Sequence, residues 1–254
     1  EELSKLLLLE DPSKGLWFLI DTTLMNEILP EVSALALEQD PIHRHKDVLA
    51  HTIEVVRRAS AILPLRLAAL LHDIGKPATR QVGDDGVSFH FHDVVGARMA
   101  RKVMRRLKYG NDLTDDVVRL VELHLRFHTY GAGWSDSAVR RYVRDAGPLF
   151  ALLNELTICD ATTRNEHKIK LFKTRMEELE VRVRELEERE RLDAIRPELN
   201  GEEVMEYLHL TPSREVGEAM AFLLEIRMEE GLIGREAAFA RLGDWWAQRQ
   251  TGEA

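Results

Sequence analysis

Residues 65–77 read Leu65-Arg66-Leu67-Ala68-Ala69-Leu70-Leu71-His72-Asp73-Ile74-Gly75-Lys76-Pro77, and the rest of the chain is best understood outward from them. From Leu65 to Ile74 the run is apolar almost all round, as expected of a central buried helix, with Gly75 and Pro77 as its stop signals. An imidazole and a carboxylate at the end of such a helix are costly to bury unless they are paired or bound to a metal. A second pair, His92-Asp93, has a plainer setting, since Asp93 reads as an N-cap and leaves His92 as the residue of interest.

On either side of this run the patterning is helical. Val48, Thr52, Val55, Ala59 and Ile62 form a stripe that Pro64 is expected to close. Gln81-Val82 and Val87-Ser88-Phe89 flank a Gly83-Asp84-Asp85-Gly86 turn, which suggests a small hairpin. Further helices are expected at about 94–108, at about 115–128 with Thr114 as cap, after Ser135 up to Gly147-Pro148, and from about Leu149 to Asp160. From about Lys168 to Leu192 the chain is dense in Glu, Arg and Lys, with Ile169, Phe172, Met176, Leu179, Val183 and Leu186 at three- and four-residue steps. This reads as a long exposed helix packed along one stripe. Shorter helical patterns follow at about 201–208, 213–230 and 235–248. The expected organisation is a helical lead-in over 1–40, a metal-binding domain over 41–165, and a long helix with a small helical subdomain over 166–254. The fold class is all-α.

The other chemistry-bearing residues lie on apolar stripes. His51 sits between Val48 and Val55, and Asp160 continues the face of Leu149, Leu153 and Leu156. His124 and His128 are read as one turn apart on the face of Val117, Leu120 and Val121. One such histidine is ordinarily a satisfied core residue; this many, with two buried carboxylates, point to a metal site. Neutral imidazoles and carboxylates suit Mn²⁺, Fe²⁺, Co²⁺, Ni²⁺ or Zn²⁺, with Mg²⁺ also admitted. The sole cysteine, Cys159, allows no internal disulfide, fits a reducing cytoplasm and reads as a buried thiol.

The chain has 35 Lys+Arg against 44 Asp+Glu, so its formal charge of −9 gives no global attraction for nucleic acid. Any RNA contact must be local, and the basic helix with Arg98, Arg101, Lys102, Arg105, Arg106 and Lys108 is the best candidate, a solvated face being the plain alternative. No stretch approaches the roughly 18 apolar residues that span a bilayer, so no membrane association is expected.

A helix-borne His51, the His72-Asp73 pair followed by Gly75-Lys76, and Asp160 within Ile158-Cys159-Asp160-Ala161-Thr162 resemble the HD superfamily of metal-dependent phosphohydrolases. The resemblance implies an HD-type helical bundle with a first metal held by His51, His72, Asp73 and Asp160. Some members add two histidines for a second metal, and His92 and His124 are similarly placed, with His128 as a substitute. Asp73 would serve as ligand and as orienter of the attacking water, and Lys76 would neutralise a phosphate oxygen. For Lys76, a cation favoured by a helix C-terminus is an equal reading.

A closer resemblance runs through Gly15-Leu16-Trp17-Phe18-Leu19, Ile28-Leu29-Pro30-Glu31, Phe91-His92-Asp93-Val94-Val95-Gly96-Ala97 and Leu199-Asn200-Gly201. These look like the body and tail of bacterial CCA-adding tRNA nucleotidyltransferases that carry an HD domain. Around Pro212 the chain has Ser213 and Arg214 where that family usually has more glycine. The resemblance implies tRNA as a partner and a separate nucleotidyltransferase head, whose paired aspartates on strands do not occur in this sequence. The expected function is phosphohydrolysis of a nucleotide or RNA phosphoester. The alternatives are a tRNA-binding body with a silent metal site and a hydrolase of signalling nucleotides.

Overall fold

The computed structural model describes residues 1–36, 47–83, 86–161, 166–190 and 196–251. It is all-α apart from one small hairpin. The helices are α1 Glu2–Leu7, α2 Ser13–Asp21, α3 Leu24–Ile28, α4 Pro30–Ser33, α5 Val48–Arg58, α6 Leu63–Leu71 and α7 Lys76–Thr79. Then come α8 His92–Arg106, α9 Asn111–Leu123, α10 Asp136–Ala146, α11 Phe150–Asp160 and α12 Glu166–Glu190. The chain ends with α13 Gly201–Leu208, α14 Arg214–Glu230 and α15 Arg235–Thr251. Strands β1 Gln81–Gly83 and β2 Gly86–Ser88 pair antiparallel, with Val82 opposite Val87, at the hairpin read from the sequence. Asp84 and Asp85 of its turn lie outside the described residues.

Two compact units divide the chain, one of residues 1–131 with 148–176, the other of 132–147 with 177–254. In the first, α6 packs against α5, α9 and α11, and every residue from Leu65 to Leu71 is buried. Each fully buried leucine there contributes about 1.5–3 kcal/mol relative to exposure. Arg66, the one polar residue of that run, is buried with the rest. Its guanidinium donates to the carbonyls of Leu7 (2.6 Å), Leu9, Glu10 (3.2 Å) and Ala59 (3.0 Å), tying the ends of α1 and α5 to the central helix. In the second unit α10 and α13 pack on α14, and Leu199, Val204, Leu223 and Leu242 form a core of their own. Met176, Leu179, Val183 and Leu186 of α12 are buried, the single stripe its spacing predicts.

Several helix ends differ from the sequence reading. Pro64 and Pro77 lie in the first turns of α6 and α7 instead of ending the helices before them. Proline suits that position because the missing N–H has no intrahelical partner there anyway. Asp93 and Thr114 are not caps: α8 begins at His92 after Phe91, and α9 begins at Asn111. Thr114 instead turns its hydroxyl back to the Gly110 carbonyl at 2.8 Å. Ser135 does cap α10, accepting from the Ala138 N–H at 3.2 Å.

Candidate metal centre

Helix ends of the first unit deliver the side chains. Asp47 caps α5 through the N–H groups of Leu49 and Ala50 and sets His51 in that helix one turn on. His72 is the C-cap of α6, His92 opens α8, His124 is the C-cap of α9, and Asp160 closes α11. The turn carrying Asp73 meets α8 through two glycines. A Cβ on Gly75 would fall 2.1 Å from the His92 carbonyl oxygen and 2.7 Å from the Gly96 nitrogen. Only a residue without a side chain lets the His72-Asp73 turn approach His92 so closely.

Three imidazoles are fixed in one tautomer by the same device. The Nδ1–H of His72, His92 and His124 donates to the carbonyls of Ala69, Phe89 and Val121 at 2.8, 2.7 and 2.7 Å. The opposite nitrogen, Nε2, is buried in all three and has no hydrogen-bond partner. These atoms face carboxylates. His72 Nε2 lies 3.3 Å from Asp73 Oδ2 and 3.5 Å from Asp160 Oδ1, and His92 Nε2 lies 3.4 Å from Asp73 Oδ1. His51 Nε2 is 2.9 Å from Asp160 Oδ1 and 3.8 Å from Asp73 Oδ2. Two groups of potential ligand atoms result, His51-His72-Asp160 and Asp73-His92-His124, each with all its atoms within 4.8 Å of one another. Asp73 turns one oxygen toward each set of imidazoles.

Lone pairs on buried Nε2 atoms repel carboxylate oxygens unless a cation or proton lies between them. Burial works against charging His72, but the Asp73 and Asp160 carboxylates beside its Nε2 outweigh it and raise its pKa to about 10. Burial likewise opposes ionisation of Asp73 and Asp160, yet the surrounding imidazoles, with Lys76 beside Asp73, hold both well below the usual carboxylate range. His124 is pushed down to about 4 by burial and then by the His72 charge. The site thus gathers two anionic carboxylates among imidazole nitrogens, a donor set that fits a divalent transition ion once the His72 proton leaves. Cys159 belongs to neither group; burial pushes its thiol up to about 11.

The cluster opens on one side. His72, Asp73 and His124 are buried, Asp160 and His51 are 13% and 20% exposed at the side chain, and His128 is 42% exposed. His128 Nε2 is 3.5 Å from Asp160 Oδ2, but it does not share a helix with His124: α9 ends at Leu123, and His128 stands on the 3₁₀ turn Arg126–Ala132. Lys76 Nζ donates to Asp73 Oδ2 at 2.6 Å and lies 5.8 Å from the centre of the Phe89 ring. On α8, Arg98, Lys102 and Arg105 are exposed, whereas Arg101 is bound to Asp115 and Arg106 to Glu31, each at 2.6 Å. The sequence reading took Phe91 only as part of a family-like stretch and missed that it is 75% exposed with φ 62° beside His92, and it missed the Gly75–Gly96 approach. Neither is written in a local pattern. A cleft of about 320 Å³ lies against the hairpin, lined by Gln81, Val82, Ser88 and His90, and contains none of the clustered residues.

Fold and site together define an all-helical protein with a buried His/Asp cluster suited to divalent metal. The chain belongs to the HD domain family, which matches residues 48–193. It is also similar to tRNA nucleotidyltransferases. It is 34% identical to the A-adding tRNA nucleotidyltransferase of Deinococcus radiodurans, over 99% of this chain and 58% of that protein. Identity to the CC-adding tRNA nucleotidyltransferase of Thermus thermophilus is 33%, over 99% of this chain and 57% of that protein. A multifunctional CCA protein of Neisseria meningitidis is 32% identical over 52% of this chain and 32% of its own length. The chain therefore spans under two thirds of these curated relatives.

Proposed function

We propose that this chain is a metal-dependent phosphohydrolase acting on nucleotide or RNA phosphoesters, within a protein related to the tRNA nucleotidyltransferases. The observation that carries the reading is the set of three buried Nε2 atoms without hydrogen-bond partners beside the buried Asp73 carboxylate and the half-buried Asp160 carboxylate. His51, His72, Asp160, Asp73, His92 and His124 would hold one or two ions. A bound divalent ion supplies Lewis acidity, which lowers the pKa of a water and polarises a phosphoryl oxygen. Asp73, anchored by Lys76, orients the attacking water. The open edge at His51, Asp160 and His128 admits the phosphoester, and Lys76 sets a positive charge beside it. This reading makes tRNA the partner and the cytoplasm the compartment.

The test is hydrolysis of bis-p-nitrophenyl phosphate and of a 2′,3′-cyclic nucleotide with Mn²⁺, Co²⁺, Ni²⁺, Zn²⁺ and Mg²⁺ in turn. His72→Ala is expected to lose at least about a hundredfold in rate, in line with loss of a ligand. A wild type that hydrolyses neither substrate under any of these ions would sink the reading. A second reading, a tRNA-binding body with a silent site, is favoured by the relatives' names, which state nucleotide addition. Binding of tRNA without hydrolysis would select it.

A further inference from the structure

This acidic chain ties up many of its exposed arginines: Arg57 and Arg58 bind Glu54, Arg241 binds Glu230 and Arg235 binds Glu203. On α8, Arg101 and Arg106 are tied in the same way. The side chains of Arg98, Lys102 and Arg105 are exposed and have no hydrogen bond or ion pair among the described residues. Steps of four and then three residues place them on one face, about 6 and 4.5 Å apart along the axis. The opposite face, with Ala97, Ala100, Val103 and Met104, is buried, so this helix has no apolar face left for a membrane. At its head stands Phe91, 75% exposed and in the left-handed region at φ 62°. Neither burial nor backbone preference accounts for a phenylalanine there. An unpaired base stacking on the ring would.

We propose that α8 is a track for the end of a single-stranded RNA. A base stacks on Phe91 next to the His/Asp cluster, and the phosphates behind it lie along Arg98, Lys102 and Arg105. The scissile phosphoester's place at the cluster rests on the phosphohydrolase reading; the binding surface does not. A strand fits better than a duplex because Phe91 offers a stacking face that a paired base cannot use.

The experiment is fluorescence anisotropy of a labelled single-stranded hexaribonucleotide with the 254-residue chain in EDTA, where the strand stays intact. Arg98→Glu, Lys102→Glu and Arg105→Glu combined should weaken binding at least about tenfold and reduce the slope of log K against log salt by about 2, since single strands lose roughly 0.7 per contact. Phe91→Ala should weaken binding about fivefold to a hundredfold and leave that slope unchanged, because it removes stacking and no charge. Circular dichroism melts confirm that each variant is folded. Wild-type affinity and slope in the triple variant would overturn the track, as would a duplex of the same sequence bound as tightly as the strand. Binding to anionic vesicles in place of RNA would overturn it too. Because EDTA removes hydrolysis from the measurement, an inactive protein that still binds through α8 counts against the enzyme reading alone.

Discussion

His72 spends its Nδ1 proton on the Ala69 carbonyl, so its Nε2 must meet Asp73 and Asp160 either as a protonated donor or behind a metal ion. Proton and metal compete for one lone pair. Its pKa in the folded, metal-free protein is about 10, above the ordinary 6.5, so protonation contributes stability below pH 6.5 that is lost as pH rises toward 10. Metal affinity has the opposite sign. It strengthens as the proton leaves, by about tenfold per pH unit between pH 7 and 9, with about one proton released from His72 per ion. His124, at about 4, is already neutral in that range and releases none. Calorimetric titration of metal in buffers of different ionisation enthalpy reads the proton directly, and a heat independent of buffer would refute this account of His72. The two ligand groups also predict a stoichiometry. Fully loaded protein should carry two ions, His92→Ala should lose one, and Asp73→Ala should weaken both because its oxygens face both groups. Elemental analysis that finds one ion in wild type and in His92→Ala alike would leave His92 with a role other than ligand.

Helix ends hold the site together, and the ends were the part least legible in the chain. Buried α6 could be read from residues 65–71, because apolar character all round is a local property. The candidate ligands could be singled out too, because most of them interrupt or end an apolar stripe, and the structure brings them together. Pro64 and Pro77 could not be resolved as starts rather than stops, because proline is compatible with both until packing chooses. His124 and His128 looked like neighbours on one helix, but the helix gives way to a 3₁₀ turn after Leu123. Gly75 was legible as a stop signal, while its closer duty depends on α8, seventeen residues further on by His92. Gly75→Ala should therefore do more than alter a helix end. Its methyl would meet two backbone groups that cannot rotate away, so we expect a loss of at least about 2 kcal/mol, toward the upper range for overpacking. Metal content should fall with it, because Asp73 and His92 separate. Urea melts and elemental analysis check both; an unchanged midpoint with full metal would show that the approach is not as tight as 2.1 Å implies.

At the scale of the molecule, every candidate ligand belongs to the unit of residues 1–131 and 148–176. Buried nitrogen lone pairs and carboxylates make that unit self-repulsive when nothing sits between them, whereas the other unit has its own apolar core and contributes no candidate ligand among the described residues. An ion that binds only the folded site stabilises it by mass action, about 2.7 kcal/mol at a free concentration one hundred times its dissociation constant. That stabilisation should be confined to the helices that supply ligands. Hydrogen exchange followed by mass spectrometry, with and without excess EDTA, should therefore show faster exchange in peptides from α5, α6, α8, α9 and α11 once the ion is removed. Peptides from α13, α14 and α15 should exchange at the same rate in both conditions. Equal acceleration in both units would mean that they unfold as one cooperative block. No change in either would mean that the His/Asp cluster holds no ion that matters to the fold.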